Sequence, residues 1–547
     1  MTTNPRRETG ALAAFIALFF LLQAALSFRH NLNWDEYLFL SHVYSYVDGR
    51  LADPFQTFHV HLLAWLTALP GSEADQLVAG RLFMMLCEAG SLYCLYRMAR
   101  EFVSAENALF AVAAWCAAGY ALVHGASFRA DPLAGFLSMA ALAVLMCGRR
   151  GWPQAAASGV LAAVGLLVTV KCVFFLPVFL GAFAWRWRRS ESKAAVLRHF
   201  AIAGVVMLVV YAMLWALHAK SIAPPPHAAV PVAVSPLRSD TSAFHKVILS
   251  QSLFPRADYI LRWAIMSALP LALFATGAWR AARRDAGVAA AVLLFVAPLL
   301  TLAIYRNAFP YYFPFILLPV ALTAALGVEA LRDRLLRLVV LIAMALPPLA
   351  VIPAAWREDQ AAQRAVARAA HELFPSPVRY IDRGSMLPSF SKSGFFMSTW
   401  GVEGYLDAHQ PVLSQAIARE QPPLLILNSP LLWDAVAPTD EPGSRRLLPS
   451  DAEALRLNYI EQWGPIWVAG KKLTAEAGRF AVAIGGTYTL ECRGARQIDY
   501  AQVPCGGTTN LAPGPHGWAG GRATLRWGDH LPTLAGSPPA EPIFYGF

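Results

Sequence analysis

Apolar runs close to the ~20 residues a bilayer requires recur through the first two thirds of the chain, each closed by a short polar break. They cover about 10–28, 75–96, 105–123, 132–148, 154–170, 172–187, 200–218, 259–279, 287–304, 311–330 and 338–355. The pattern predicts eleven membrane-spanning helices. Between them lie a mixed loop at 29–73, with amphipathic pieces, and a Pro-rich loop at 219–258. The first run follows Arg6 and Arg7 and has no small-residue cleavage site after Gln23, so it reads as a retained signal anchor.

The pattern changes after Trp356. A helical piece, about Arg357 to Leu373, leads into a polar region. Leu424 to Leu427 and Ile466 to Val468 read as buried strands. Phe480, Val482 and Ile484 alternate with small residues until Gly485-Gly486 breaks the run, and Tyr488 and Leu490 resume it. Thr524, Arg526 and Asp529 alternate later. Period-two stretches with Gly breaks indicate a β-rich unit. The expected organisation is a membrane domain at 1–355, a mixed α/β region at 356–470 and a sandwich-like β domain at 471–547.

Composition strengthens the membrane reading. The chain is 57% hydrophobic and 15% charged, against about 25% charged in soluble proteins. Its net charge of +10 does not point to nucleic acid, because the basic residues fall in short clusters between apolar runs. Such clusters carry topology information. With the N-terminus inside, every dense cluster is cytoplasmic. The 29–73 loop, the His124–Asp131 link, Lys171, the 219–258 loop, the Tyr305–Pro310 link and the C-terminal region then lie outside. Cys87, Cys94, Cys116, Cys147 and Cys172 sit in or beside apolar runs as small hydrophobes. Cys492 and Cys505 lie in the outer region, where an oxidising compartment permits a disulfide; two free thiols is the alternative.

The candidate chemistry gathers on that outer face. Asp35 and Glu36 follow the first span, and ionisable groups near a membrane usually have a task. One of them can serve as a base or orient an acceptor; the plainer alternative is an acidic cap for the helix that begins near Tyr37. His124, Arg129 and Asp131 crowd one short link. Asp131 before Pro132 is a natural helix start, whereas Arg129 breaks the inside-positive trend and suits a phosphate; a salt bridge from Arg129 to Asp131 or Asp35 is the plainer alternative. Lys171 and Arg306 also stand against that trend. Snorkelling or an aromatic belt around Tyr305, Tyr311 and Tyr312 would explain them equally. His59 and His61 are two apart in a helical-looking loop and do not make a metal pair, though one can lie near a substrate. There is no P-loop and no dinucleotide fingerprint.

The Asp-Glu pair after the first span, the helical pieces of the first loop, Arg129-x-Asp131-Pro132, Lys171 near the end of the fifth span and Tyr305-Arg306-x-x-x-Pro310-Tyr311-Tyr312-Phe313 together resemble the GT-C glycosyltransferases. The nearest branch is the bacterial relatives of the protein O-mannosyltransferases and the aminoarabinose transferase. The resemblance covers roughly 1–355. It implies an inverting transfer of sugar from a polyprenyl phosphate at the outer face of a bacterial cytoplasmic membrane, to a glycan, lipid or protein acceptor. Asp35 would be the catalytic carboxylate, with Glu36 assisting or holding the loop. Arg129, Lys171 and Arg306 would neutralise the lipid phosphate, and His59, His61, His124, Asp131 and Tyr305 would line the substrate pocket. Divalent-metal dependence differs across the superfamily, and no other cofactor is implied. Phe58-His59-Val60-His61 stands where many relatives carry a Pro-Pro pair, which bears on the acceptor side.

Two other classes fit parts of the pattern. A transporter of lipid-linked sugars would carry charges inside its spans and paired helix breaks at the midplane. A non-catalytic envelope scaffold would be indifferent to Asp35→Asn.

Overall fold

The computed structural model describes residues 5–149, 151–223, 253–437, 446–474 and 476–545. Most of the expected 219–258 loop lies outside the described residues.

Each of the eleven apolar runs folds as helix. By length and composition, seven are able to cross a membrane among the described residues, from Glu8–Arg29 to Arg334–Arg357. The number rises to nine if each of two bent pairs is one crossing. Those pairs are Ala257–Met266 with Ala268–Ala282, bent by 86°, and Tyr312–Val320 with Leu322–Ala330, bent by 44°. Ala105–Cys116 and Trp152–Val168 are apolar but shorter. The expected eleven spans thus stand at seven to nine. The runs were legible as helix, while breaks such as Ser267 and Ala321 shorten what can cross.

The helices start where local chemistry dictates. Ser72 and Asp75 form a capping box before Glu73–Ala99, and Ser104 caps Ala105–Cys116. Long faces of Lys193–Ser221 and Arg334–Arg357 stay apolar and exposed, as a lipid solvent requires. Elsewhere the backbones touch. A side chain at Gly277 would strike the Thr323 carbonyl, and one at Gly327 the Leu273 carbonyl. Small residues permit this approach, and packing rather than the hydrophobic effect holds helices together in lipid.

The C-terminal region sits on one end of the bundle and shares its core. Leu424, Ile426, Ile466 and Val468 belong to the same buried cluster as Tyr37, Leu77 and Tyr312. Among the described residues it holds an eight-stranded mixed sheet. The main path runs Thr508–Leu511, Gly486–Glu491, Ala523–Trp527, Ile466–Leu473, Leu424–Ile426, Arg379–Ile381, Ser391–Lys392, and Tyr459–Trp463 adds to Ile466–Leu473. A second, four-stranded sheet closes a small core around Leu490, Trp518 and Leu525. The expected 470/471 boundary falls inside the Ile466–Leu473 strand, which pairs with Leu424–Ile426 and with Ala523–Trp527. Cys492 and Cys505 are bridged.

Backbone contacts weld the first loop to this region. Asn31 N–H donates to the Glu358 carbonyl at 2.7 Å, and the Gln363 amide holds both the N–H and the carbonyl of Leu32, at 3.0 and 2.7 Å. Farther on, Ile543 and Phe544 are buried beside the same loop. Asn31 Nδ2 donates to the Ile543 carbonyl at 3.2 Å, and Phe544 packs edge-on against Trp34 and Tyr37.

Candidate active site

Asn33 caps the Trp34–Val47 helix. Its side chain accepts from Asp35 N–H at 3.0 Å, and its own N–H donates to Glu36 Oε2 at 2.8 Å. That capping box turns Glu36 inward. Arg81, on the Glu73–Ala99 helix, meets it with two parallel bonds: Nε to Oε1 at 2.8 Å and Nη2 to Oε2 at 2.6 Å. Phe128 N–H donates to Oε1 at 2.8 Å. Gly80 makes room for this, since a side chain there would overlap the Phe128 ring. Glu36 is 0% exposed. Burial pushes its carboxyl up, but Arg81 and the hydrogen bonds outweigh this, and its pKa lies below the ordinary value. The Arg81 fork also holds the His30 and Asn31 carbonyls, each at 2.8 Å. Of the two parts expected of Glu36, assisting Asp35 or holding the loop, its closed surroundings suit the second.

Asp35, one position earlier, points the other way. Its side chain is 23% exposed and is paired with Arg129. Arg129 lies 3.7 Å from Asp131 through Nε, and Asp131 is paired with Lys171. Two carboxylates and two cations thus alternate in one chain of ion pairs at the bundle end. The Tyr311 ring roofs both cations, 3.4 Å from the Arg129 guanidinium and 5.4 Å from Lys171 Nζ, a favourable place for positive charge. Burial pushes the Arg129 pKa down, and Asp35, Tyr311 and Asp131 reverse that to a net rise. His124 lines a neighbouring cleft with Glu36, Arg81 and Arg129. Burial first, then His30 and the two arginines, take its pKa to about 3, so it is neutral at ordinary pH.

No family model and no curated protein matches the chain. Solved structures do. ArnT from Cupriavidus metallidurans, bound to undecaprenyl phosphate, aligns with a TM-score of 0.54 over 79% of this chain and 95% of its own, at 17% identity. The apo oligosaccharyltransferase of Archaeoglobus fulgidus aligns with a TM-score of 0.53 over 78% of this chain and 70% of its own, at 11% identity. The same enzyme tethered to an acceptor peptide covers 92% of this chain, with a TM-score of 0.50 and 10% identity. The chain has the GT-C glycosyltransferase fold.

Within this GT-C fold the remaining expected residues part company. Arg306 does not join the Asp35–Lys171 chain. It pairs with Glu403 of the C-terminal region at 2.9 Å and lies 3.2 Å over Trp400, while Trp400 Nε1 donates to Asn307 at 2.5 Å. The late loop is clipped to the Thr399–Ala408 helix. Tyr305 packs in a cluster with Phe174 and Tyr312. His59 stacks on Phe39 at 3.5 Å, and His61 bonds His218 at 2.8 Å; neither joins the ion-pair chain. Among the described residues no three His, Cys, Asp or Glu side chains come together as metal ligands. Asp35 and Asp131 are each paired with cations here.

Sequence reasoning missed Arg81, although a lone arginine inside an apolar run is a signal. It quoted Tyr311 only within a motif and passed over Arg256, whose Nε donates to the Arg306 carbonyl at 3.2 Å. Arg383, which lies 4.1 Å over the Trp34 ring, had no local signal, because its partner is remote in sequence.

Proposed function

We propose that this chain is an integral-membrane glycosyltransferase moving a sugar from a polyprenyl phosphate to an acceptor hydroxyl or phosphate on the periplasmic face, with inversion. The alternating chain Asp35–Arg129–Asp131–Lys171 under Tyr311 carries the reading, and the GT-C fold supports it. Asp35 accepts the proton of an acceptor hydroxyl as that oxygen bonds to the sugar C1. The C1–O bond to the donor phosphate breaks on the opposite face, and the electron pair leaves with the polyprenyl phosphate. Arg129 and Lys171 are the cations for that charge, fixed before the reaction and therefore without reorganisation cost at the moment of bond breaking. Arg306 contributes by holding the late loop against the C-terminal region.

A transporter would need charges within its spans, and Arg81 and Glu88 are there, buried in Glu73–Ala99. Both are committed to internal partners, Glu36 and Gln23, which favours the enzyme.

The test is transfer by the purified chain from a synthetic polyprenyl-phosphate sugar to envelope fractions, with glycan analysis of a deletion strain. A product lacking one sugar in the strain, restored by the chain, is expected. An unchanged glycan profile together with no transfer from any donor would overturn the reading.

A further inference from the structure

Behind Trp34 the C-terminal region opens a cleft of about 160 Å³, lined by Arg383, Ser398, Thr399 and Ser429 with apolar Val402 and Leu431. The Arg383 guanidinium lies over the Trp34 ring, one residue from Asp35, whose charge acts on it. Gly384 allows the approach, since a Cβ there would sit 2.8 Å from the Trp34 Cβ. Among the described residues the guanidinium makes one hydrogen bond, Nε to the Met397 carbonyl at 3.3 Å. Its terminal nitrogens therefore keep their N–H groups. Asp382, next in sequence, does not claim them; it is fully buried and spent on Lys392, Asn428 and the N–H groups of Ser385 and Met386.

A second observation is independent of the arginine. Ser429 is 4% exposed, stands at a helix N-cap without capping it, and its Oγ has no partner among the described residues. A buried hydroxyl left unpaired is costly and calls for a partner. The third wall is the start of the ten-residue helix Thr399–Ala408, capped by Ser398, where the backbone dipole favours negative charge. No carboxylate lines the cleft among the described residues.

Building on the transferase reading, we infer that this cleft binds an oxyanion of the acceptor, with Arg383 forking two of its oxygens and Ser429 donating to it. The acceptor's anionic group sits in the C-terminal region, and its attacking oxygen reaches past Trp34 to Asp35. The site is separate from the one for the donor phosphate.

Inorganic phosphate, with acetate as a second probe, tests this by equilibrium dialysis on the full chain in detergent. Arg383→Gln is expected to weaken binding by about tenfold or more, and Ser429→Ala by about threefold, as loss of charged and neutral hydrogen bonds implies. Ser429→Ala removes an unpaired group, so it folds as the parent does and keeps the test valid if Arg383→Gln does not. Saturating undecaprenyl phosphate is expected to leave this binding in place. In transfer assays both variants raise the acceptor KM and leave the donor KM unchanged. Equal binding by parent and both variants, no binding of either probe by the parent, or displacement by the lipid phosphate would overturn the inference. The ratio of phosphate to acetate affinity assigns the oxyanion as phosphate or carboxylate. Arg383-dependent binding in a chain that transfers no sugar would overturn the transferase reading and leave the cleft standing.

Discussion

Asp35 and Glu36 are adjacent, identical in charge and held by the same capping box, yet they end in opposite surroundings. Around Glu36 every oxygen is taken by Arg81, Asn33 or Phe128, and none reaches solvent. Around Asp35 one arginine is present and part of the carboxylate is open. The contrast shows how a step of one residue along a helix separates a closed carboxylate from one that is part open. A closed ion pair supplies a fixed frame, and a half-open one keeps a lone pair for chemistry.

The contrast is broken most sharply at Asp35. Asp35→Asn is expected to lower the transfer rate by about 10²- to 10⁴-fold, the usual share of a positioned acid or base, with a smaller fall in the unfolding midpoint than Glu36→Gln because Asp131 still faces Arg129; full transfer by the variant would remove Asp35 from the mechanism. Glu36→Gln should do the reverse. Leaving Arg81 buried without its partner costs about 3–5 kcal/mol, seen as a lowered unfolding midpoint in detergent, with lost activity tracking lost folded protein. Tyr311→Ala, which uncovers Arg129, is smaller: about 0.5–2 kcal/mol of cation–π stabilisation, read as a several-fold rise in donor KM. The mildest probe is pH. The folded pKa of Glu36 is depressed, so its contribution is complete above the unfolded value of about 4.3 and is lost as pH falls through the lower, folded value. The Glu36 share, read as the stability difference between the parent and Glu36→Gln, should be flat from pH 7 to 5 and shrink only below about 4. His124, held neutral with a pKa of about 3, should already withdraw stability from both proteins as pH falls below its unfolded value of about 6.5. A parent–variant difference that shrinks already at pH 6 would show that Glu36 does not act this way.

The helices were legible because a bilayer leaves a length signal that needs no partner. Leu424–Ile426 was legible as a short unbroken apolar run, and Ala523–Trp527 by its period of two. The sorting of Asp35 from Glu36 was not, since burial of Glu36 depends on Arg81, 45 positions away. Arg81 was masked by the apolar residues around it. Arg306 stood out as a cation against the inside-positive trend, but its partner Glu403 lies 97 positions on, in a region whose packing no local pattern announces. The expected boundary at 470 was drawn ahead of the period-two runs, and the Ile466–Leu473 strand runs through it, because it pairs with strands on both sides.

The tucked stretch Ile543–Tyr545 has a consequence in time. Asn31 and Ile543 are 512 positions apart, so a ribosome adding about 5–20 residues per second takes roughly half a minute or more to supply the second after the first. Until those late residues have been made and delivered to the same side of the membrane, the loop carrying Asp35 lacks the contacts of Ile543 and Phe544 with Asn31, Trp34 and Tyr37. Completing the C-terminal region is therefore a step in assembling the Asp35 loop, and a chain stalled late in synthesis lacks the contacts that hold it.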